Sequence, residues 1–408
     1  TGIMPARAGV PPGRRGGESC PMRLTADLRD LATVPAFRTL LGVRLVSQSG
    51  DGMVQAGLAT LFFFQPQNMT DAAGVAAALV VMLLPFSVVG PFAGPFIDRW
   101  RRRRTLLIGN LVRAGLIAAT AVHLSIAGIG PVVYVLGLLL RLLLPAGTAQ
   151  DAGSLVVAVG LYVLAAGVVS RLGVDELGPE RTGRRTGLAS AIAATAGDLT
   201  DAVRYLVRRG TPGLALTAMA LHRFVYGMEL IALILMARNL LAVPEDADAG
   251  LAVFGTLMGA MVAGHGLAIV LTPLAHERVS PSSWVVMCLI GGTAGQLVLV
   301  TTHALTAVAS GLLVFGVGVQ GAKIAVDTIV QADTADAYRG RAFSIYDVLF
   351  NTAECVAAGV AVLVLPPIGW SRSVQAVLVV LVWTVALVYR GRVRALGDRP
   401  RPVDDLVA

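Results

Sequence analysis

Long apolar runs separated by short polar loops dominate the chain. A helix needs about 20 predominantly apolar residues to cross the hydrocarbon core of a bilayer. The runs predict spanning helices at 37–64, 74–97, 105–127 and 152–172, then a second group at 213–237, 250–272, 283–303, 305–330, 342–366 and 370–390. One further run, 131–144, is too short to cross comfortably, carries Arg141, and is followed by Pro145-Ala146-Gly147, which would break a helix. Between the groups lies a polar stretch, 173–212, with Arg181, Arg184, Arg185, Arg204, Arg208 and Arg209. It is too short to build a core of its own and reads as a linker joining two halves, 35–172 and 213–391. Residues 1–34, rich in Pro, Gly and Arg, are expected to be a disordered cytoplasmic tail, and 392–408 a second cytoplasmic tail.

Composition supports a bilayer as solvent. Of 408 residues, 55% are hydrophobic and 14% charged, against about 25% charged in soluble domains. The mean hydropathy is +0.74. A net charge of +8 could indicate nucleic acid, but the arginines sit in short runs between apolar segments. Arg99 and Arg101 through Arg104, Arg339 and Arg341, and Arg390, Arg392 and Arg394 all fall in loops or at span ends. The loops 65–73, 128–130 and 241–249 hold no Lys or Arg. This is the positive-inside pattern. It places both termini in the cytoplasm of a multi-pass protein of the cell (inner) membrane and argues against nucleic acid as a partner. If 131–144 crossed the bilayer, the linker and the last arginines would lie outside. The expectation is therefore ten crossings plus one re-entrant or peripheral segment on the outer side. Cys20, Cys288 and Cys355 have no metal-ligand or disulfide spacing. No nucleophile motif, phosphate loop or metal cluster points to an enzyme or a cofactor.

Polar residues inside spans are the candidates for function, because an ionisable group at membrane depth is costly. Arg44, Gln48, Asp51 and Gln55 are spaced four, three and four apart and share one helix face. Such a stripe faces a water-filled cavity or a polar seam between helices. Arg113 lies in the third span, Arg223 and Glu229 in the first span of the second half, and Glu354 in the span beginning near 342. Each is either part of a substrate or proton pathway or one arm of a buried ion pair. Lys323 and Asp327 read as a local i,i+4 pair. His222 lies seven before Glu229 and so shares its face, while His123, His265 and His303 read as packing residues. Gly90 with Gly94, Gly255 with Gly259, and Gly291 with Gly295 have the spacing that lets helix backbones approach.

The loop after the second span reads Gly94-Pro95-Phe96-Ile97-Asp98-Arg99-Trp100-Arg101-Arg102-Arg103-Arg104. A Gly, three residues, Asp-Arg and a basic run resembles the signature loop of the major facilitator superfamily, departing from it at Arg101, where Gly is common. A degenerate echo in the second half, Pro273 with Glu277-Arg278, fits a two-half transporter. The stretches Arg223-Phe224-Val225-Tyr226-Gly227 and Tyr338 to Ser344, and Asp51-Gly52 in the first span, resemble the branch of drug-efflux proteins that includes macrolide exporters. The resemblance covers about 35–135 and 150–395. That family has six spans per half. Here parts of the fourth and fifth spans have no match, so the fold expected is an all-α membrane protein, a two-half helical bundle of major-facilitator type with an incomplete N-terminal half.

The resemblance implies a monomeric secondary active transporter that exports amphipathic small molecules or drugs in exchange for protons by alternating access. Asp51 would carry the proton, with Gln48, Gln55, Arg113, Arg223, Glu229 and Glu354 along the pathway. Gly94, Asp98, Arg99, Arg102 and Arg103 would form the gate, with Asp347 as an electrostatic partner of the arginines. The alternative, suggested by the incomplete half, is a transport-defective paralogue acting as a membrane scaffold or sensor.

Overall fold

The computed structural model describes residues 102–127, 151–170 and 188–397 except 245, together with isolated positions at 38, 42, 43, 46, 76 and 80. Among the described residues all regular structure is α-helical. The helices are α1 (Arg102–Ala127), α2 (Asp151–Ser170), α3 (Leu188–Arg209), α4 (Thr211–Asn239), α5 (Ala247–His276), α6 (Pro281–Thr301), α7 (Leu305–Asp333), α8 (Asp336–Val364) and α9 (Arg372–Leu396). The expected spans at 37–64 and 74–97, the short run 131–144 and the tails 1–34 and 398–408 lie outside the described residues, apart from the isolated positions.

Among the described residues six helices, α4 through α9, are long and apolar enough to cross a membrane. At 1.5 Å per residue, a helix of about 29 residues spans about 43 Å, well beyond a hydrocarbon core of about 30 Å. Their ends therefore stand in the headgroup region, where caps can form. Asp246 accepts a hydrogen bond from the Ala249 N–H at the start of α5. Ser280 does the same for Ser283 ahead of α6, where Pro281 fits the first turn. Large apolar side chains stay exposed along these helices, among them Val262, Ile269 and Val270 on α5, Leu363 on α8, and Val377 and Val380 on α9. In water such a surface would be a liability. Against lipid it is the expected outer face, because lipid needs no polar covering.

Helix α4 is the most enclosed of the six and packs against α5, α7, α8 and α9. The backbones of α6 and α7 come close enough that a Cβ on Gly292 would touch Gly318, and one on Gly295 would collide with the carbonyl of Gly311. By contrast, a Cβ on Gly255, Gly259 or Gly291 would meet nothing within 4 Å. The close approach thus uses Gly292 and Gly295 rather than the pair Gly291 and Gly295, and Gly255 with Gly259 packs nothing.

The polar stretch 173–212 contains α3. Its Tyr205 ring stacks on Tyr338 of α8 with centroids 4.3 Å apart and 2° between planes. The Tyr205 hydroxyl accepts from the Ala335 N–H at 3.0 Å. Arg209 donates through Nε to the Asp333 carbonyl at 3.0 Å. Thr211 donates through its hydroxyl to the Asp333 carboxylate at 2.6 Å, and Arg341 pairs with Asp198 at 3.2 Å. The contacts of Asp198, Tyr205 and Arg209 dock α3 on the turn between α7 and α8, and Thr211 ties the start of α4 to the same turn.

Candidate functional site

The site is built on α4. Gly227 has no side chain, so α8 presses close: a Cβ there would lie 2.8 Å from the Ala357 Cβ and 3.3 Å from the Glu354 Cα. That approach brings Glu354 against Arg223, one turn before Gly227, and the two form an ion pair. Their side chains are 18% and 7% exposed respectively. The guanidinium lies between two rings, 4.0 Å from the Tyr226 centroid and 3.9 Å from that of Phe350. A cation over an aromatic face is held by the ring quadrupole, so the two rings share with Glu354 the work of stabilising the charge.

The aromatic set continues along α8. Phe343, Tyr346, Phe350 and Glu354 recur three, four and four apart and line one face. Tyr346 meets Phe350 edge to face at 5.5 Å. Lys323 of α7 reaches the Asp327 carboxylate at 2.6 Å and stands 5.8 Å from the Tyr346 ring. Exposed Asp347 lies within electrostatic reach of Lys323 and Asp327, and half-buried His265 of α5 within reach of Arg223. The outcome is an aromatic and charged strip shared by α4, α7 and α8.

Six residues beyond Arg223, Glu229 comes about 240° round the helix and faces the other way. It is 1% exposed and lies between α6 and α9. Gln296 donates to its Oε1 and Gln375 to its Oε2, both at 2.9 Å. His222, although on the same side by period, packs two turns away against the Phe315 ring of α7 at 5.9 Å. Arg113 of α1 lies 5.8 Å from the fully buried Tyr162 ring of α2, and Arg102 and Arg103 open α1. Gln48, Asp51, Gln55, Gly94, Asp98 and Arg99 lie outside the described residues. Among the described residues no group of three metal-ligating side chains gathers.

The structure therefore brings Arg223 and Glu354 together and keeps Glu229 apart from them. Reading the sequence missed Tyr226, Tyr346 and Phe350 as the rings around Arg223, and Gln296 and Gln375 as the partners of Glu229. The stripe on α8 was a readable cue to the first group. For the second, a lone glutamine in each of two apolar spans was the available sign.

No protein-family model matches the chain. Two relatives do, an uncharacterised MFS-type transporter of Mycobacterium bovis and another of Mycobacterium tuberculosis. Each is 30% identical over 401 residues, which cover 84% of this chain and 87% of the relative. Among solved structures, a nucleoside transporter is similar with a TM-score of 0.57 at 11% identity, covering 87% of this chain and 99% of that one. A D-xylose–proton symporter is similar with a TM-score of 0.57 at 12% identity, covering 86% and 97%. A bacterial homologue of the iron transporter ferroportin reaches 0.52 at 15% identity, covering 90% and 100%. These structures share the fold. With helices α4 through α9 apolar enough to cross a membrane, a partly buried charged strip among them, and relatives of this similarity along most of its length, the chain belongs to the major facilitator superfamily of transporters, as a multi-pass membrane protein.

Proposed function

We propose that this transporter is a proton-coupled exporter of amphipathic small molecules or drugs, working by alternating access. The observation that carries the reading is the pair of half-buried Arg223 with buried Glu354, its guanidinium set between Tyr226 and Phe350. A ring face beside a separable pair of opposite charges suits a ligand with both an aromatic body and a charge. Such a ligand would take one partner of the pair, and a proton could replace the other. Proton coupling draws support from the D-xylose–proton symporter of the same fold, and export from the resemblance of the stretches at 223–227 and 338–344 to drug-efflux proteins.

In this reading Asp51, flanked by Gln48 and Gln55, carries the coupling proton in the first half. Arg113, Arg223, Glu229 and Glu354 complete the pathway. Gly94, Asp98, Arg99, Arg102 and Arg103 form the cytoplasmic gate, with Asp347 facing the arginines. The N-terminal half is incomplete, with ten crossings in all, a re-entrant 131–144 and a cytoplasmic linker. Both termini face the cytoplasm of the inner membrane, and the protein works as a monomer. The scaffold or sensor alternative is not favoured.

The test is transport in proteoliposomes holding the full chain, with a panel of fluorescent amphipathic drugs and an imposed proton gradient. Accumulation should follow the gradient, and Asp51→Asn should abolish it. Glu354→Gln should raise the drug concentration needed for half-maximal transport. Gradient-independent leakage of every drug, or an Asp51→Asn variant as active as the parent, would overturn the reading.

A further inference from the structure

The transport reading puts Glu229 on its pathway, but the cluster around Glu229 stands apart from the Arg223–Glu354 strip. Glu229, Gln296 and Gln375 come from three different helices, and each is 1% exposed. Both carboxylate oxygens of Glu229 accept from a carboxamide N–H. The two carboxamide oxygens, Gln296 Oε1 and Gln375 Oε1, are buried and have no partner among the described residues. Two polar atoms are thus stranded within one small cluster. A buried acceptor without a donor is costly.

A charge on Glu229 would be the second anomaly. An ionised carboxylate out of water normally has a cation beside it. On its own helix the titratable groups are Tyr226, about one turn behind and set against the Arg223 guanidinium, His222 and Arg223, about two turns behind, and Arg238, more than two turns ahead. Arg223 is held by Glu354. On α6 the titratable side chain is Cys288, two turns before Gln296. On α9 Arg372, one turn before Gln375, lies against the Trp370 ring, and Tyr389 and Arg390 lie about four turns beyond it. Of the charged groups of α5, α7 and α8, His265, Lys323, Asp327, Asp347 and Glu354 gather around Arg223 and Tyr346 instead, and Asp248, His276, Asp333, Asp336, Arg339 and Arg341 stand near the helix ends. Among the described residues, two neutral amides are left to hold a charge there.

We propose that Glu229, Gln296 and Gln375 form a proton-binding site separate from the Arg223–Glu354 strip, in which a proton arriving on Glu229 turns one glutamine amide over. The chemistry balances simply. One proton from water adds to one carboxylate oxygen, the group passes from −1 to neutral, and no bond breaks. The new O–H needs an acceptor. A carboxamide carries a donor and an acceptor on one planar group of nearly symmetric shape, so a half-turn exchanges them in place. After that turn the Glu229 O–H donates to a formerly stranded amide oxygen, while the other amide still donates to the second carboxyl oxygen. The proton removes a buried charge and supplies a partner to an orphaned acceptor, and the turned amide's NH2 takes the place that the stranded oxygen held. Because α4, α6 and α9 each supply one member, proton arrival alters the hydrogen bonds that tie the central helix to two of its neighbours.

The inference rests on the transporter reading for its purpose, but its test does not involve transport. The full chain in lipid nanodiscs is titrated from acidic to alkaline buffer while its infrared spectrum is recorded. A protonated carboxyl gives a C=O band distinct from the carboxylate bands. Expected is a carboxylic band at neutral pH that Glu229→Gln removes and that is lost in alkaline buffer. In the parent protein carrying isotope-labelled glutamine, the side-chain amide bands should shift over the same titration, a readout that needs no variant. Glu229→Asp should restore a carboxylic band at a shifted position. No change in labelled glutamine bands at any pH, or a carboxylic region identical in the parent and Glu229→Gln, would overturn the proposal. Drug transport that fails while the titration succeeds would count only against the exporter reading.

Discussion

Breaking the Arg223–Glu354 pair one partner at a time gives a quantitative test of the site's physical basis. Removing one arm of a buried pair strands the other, at a cost of about 3–5 kcal/mol. The two arms are not equivalent here. In Glu354→Gln the guanidinium keeps the ring faces of Tyr226 and Phe350 at 4.0 and 3.9 Å, each contributing about 0.5–1 kcal/mol at a partly exposed site. Those rings offset part of the loss, so the cost should fall to about 2–3 kcal/mol. Arg223→Gln loses the partner and both ring contacts together and should cost about 4–6 kcal/mol. The double variant replaces two charges with two amides that can bond to each other. It should cost less than the sum of the singles by about 2–3 kcal/mol, within the range of coupling for contacting residues. The assay is unfolding of the purified protein in mixed micelles, followed by tryptophan fluorescence, for all four corners of the cycle. Singles costing less than about 1 kcal/mol, or a coupling below about 0.5 kcal/mol, would refute the claim that the pair is desolvated. A costlier Glu354→Gln than Arg223→Gln would refute the role given to the rings.

Two further outcomes check the packing. Gly295→Ala should destabilise the protein by about 1–3 kcal/mol, since its Cβ collides with the Gly311 carbonyl, while Gly291→Ala should stay within about 0.5 kcal/mol; equal effects in the same unfolding assay would refute the α6–α7 contact. Tyr205→Ala removes the stack on Tyr338 and the acceptor for the Ala335 N–H. Hydrogen exchange across 188–209 should then speed up while α4 stays protected, and unchanged exchange would show that α3 is held by something else.

Much of the fold was legible because membrane insertion is a local property. A run of about 20 apolar residues specifies a spanning helix wherever it occurs. The described helices cover every expected span from 105–127 to 370–390, differing by a few residues at their ends. Long polar ends such as 331–341 were cut short in that reading because hydropathy stops at the headgroups, whereas backbone hydrogen bonding continues beyond them. The helix α3 was hidden inside an apparent linker for a related reason. Its docking face is a set of single residues, Tyr205 and Arg209 among them, and their partners lie far along the chain.

The sequence by itself determined the all-helical membrane class and the positions of the costly charges. It also determined the spacing that puts Phe343, Tyr346, Phe350 and Glu354 on one side of a helix. It left open which of those charges meet. Helical period sets the angle between two side chains on one helix, not the direction either faces, and lipid exerts little of the inward pull on apolar faces that orients helices in water. Only tertiary packing decided that Gly227 lets α8 close on α4 and joins Glu354 to Arg223, while Glu229, on the far side of the same helix, is left to two glutamines. The glycines show the same division. Three pairs had the right spacing for close packing, but helix rotation decides which glycine meets a backbone, and it chose Gly292 and Gly295 over Gly255 and Gly259.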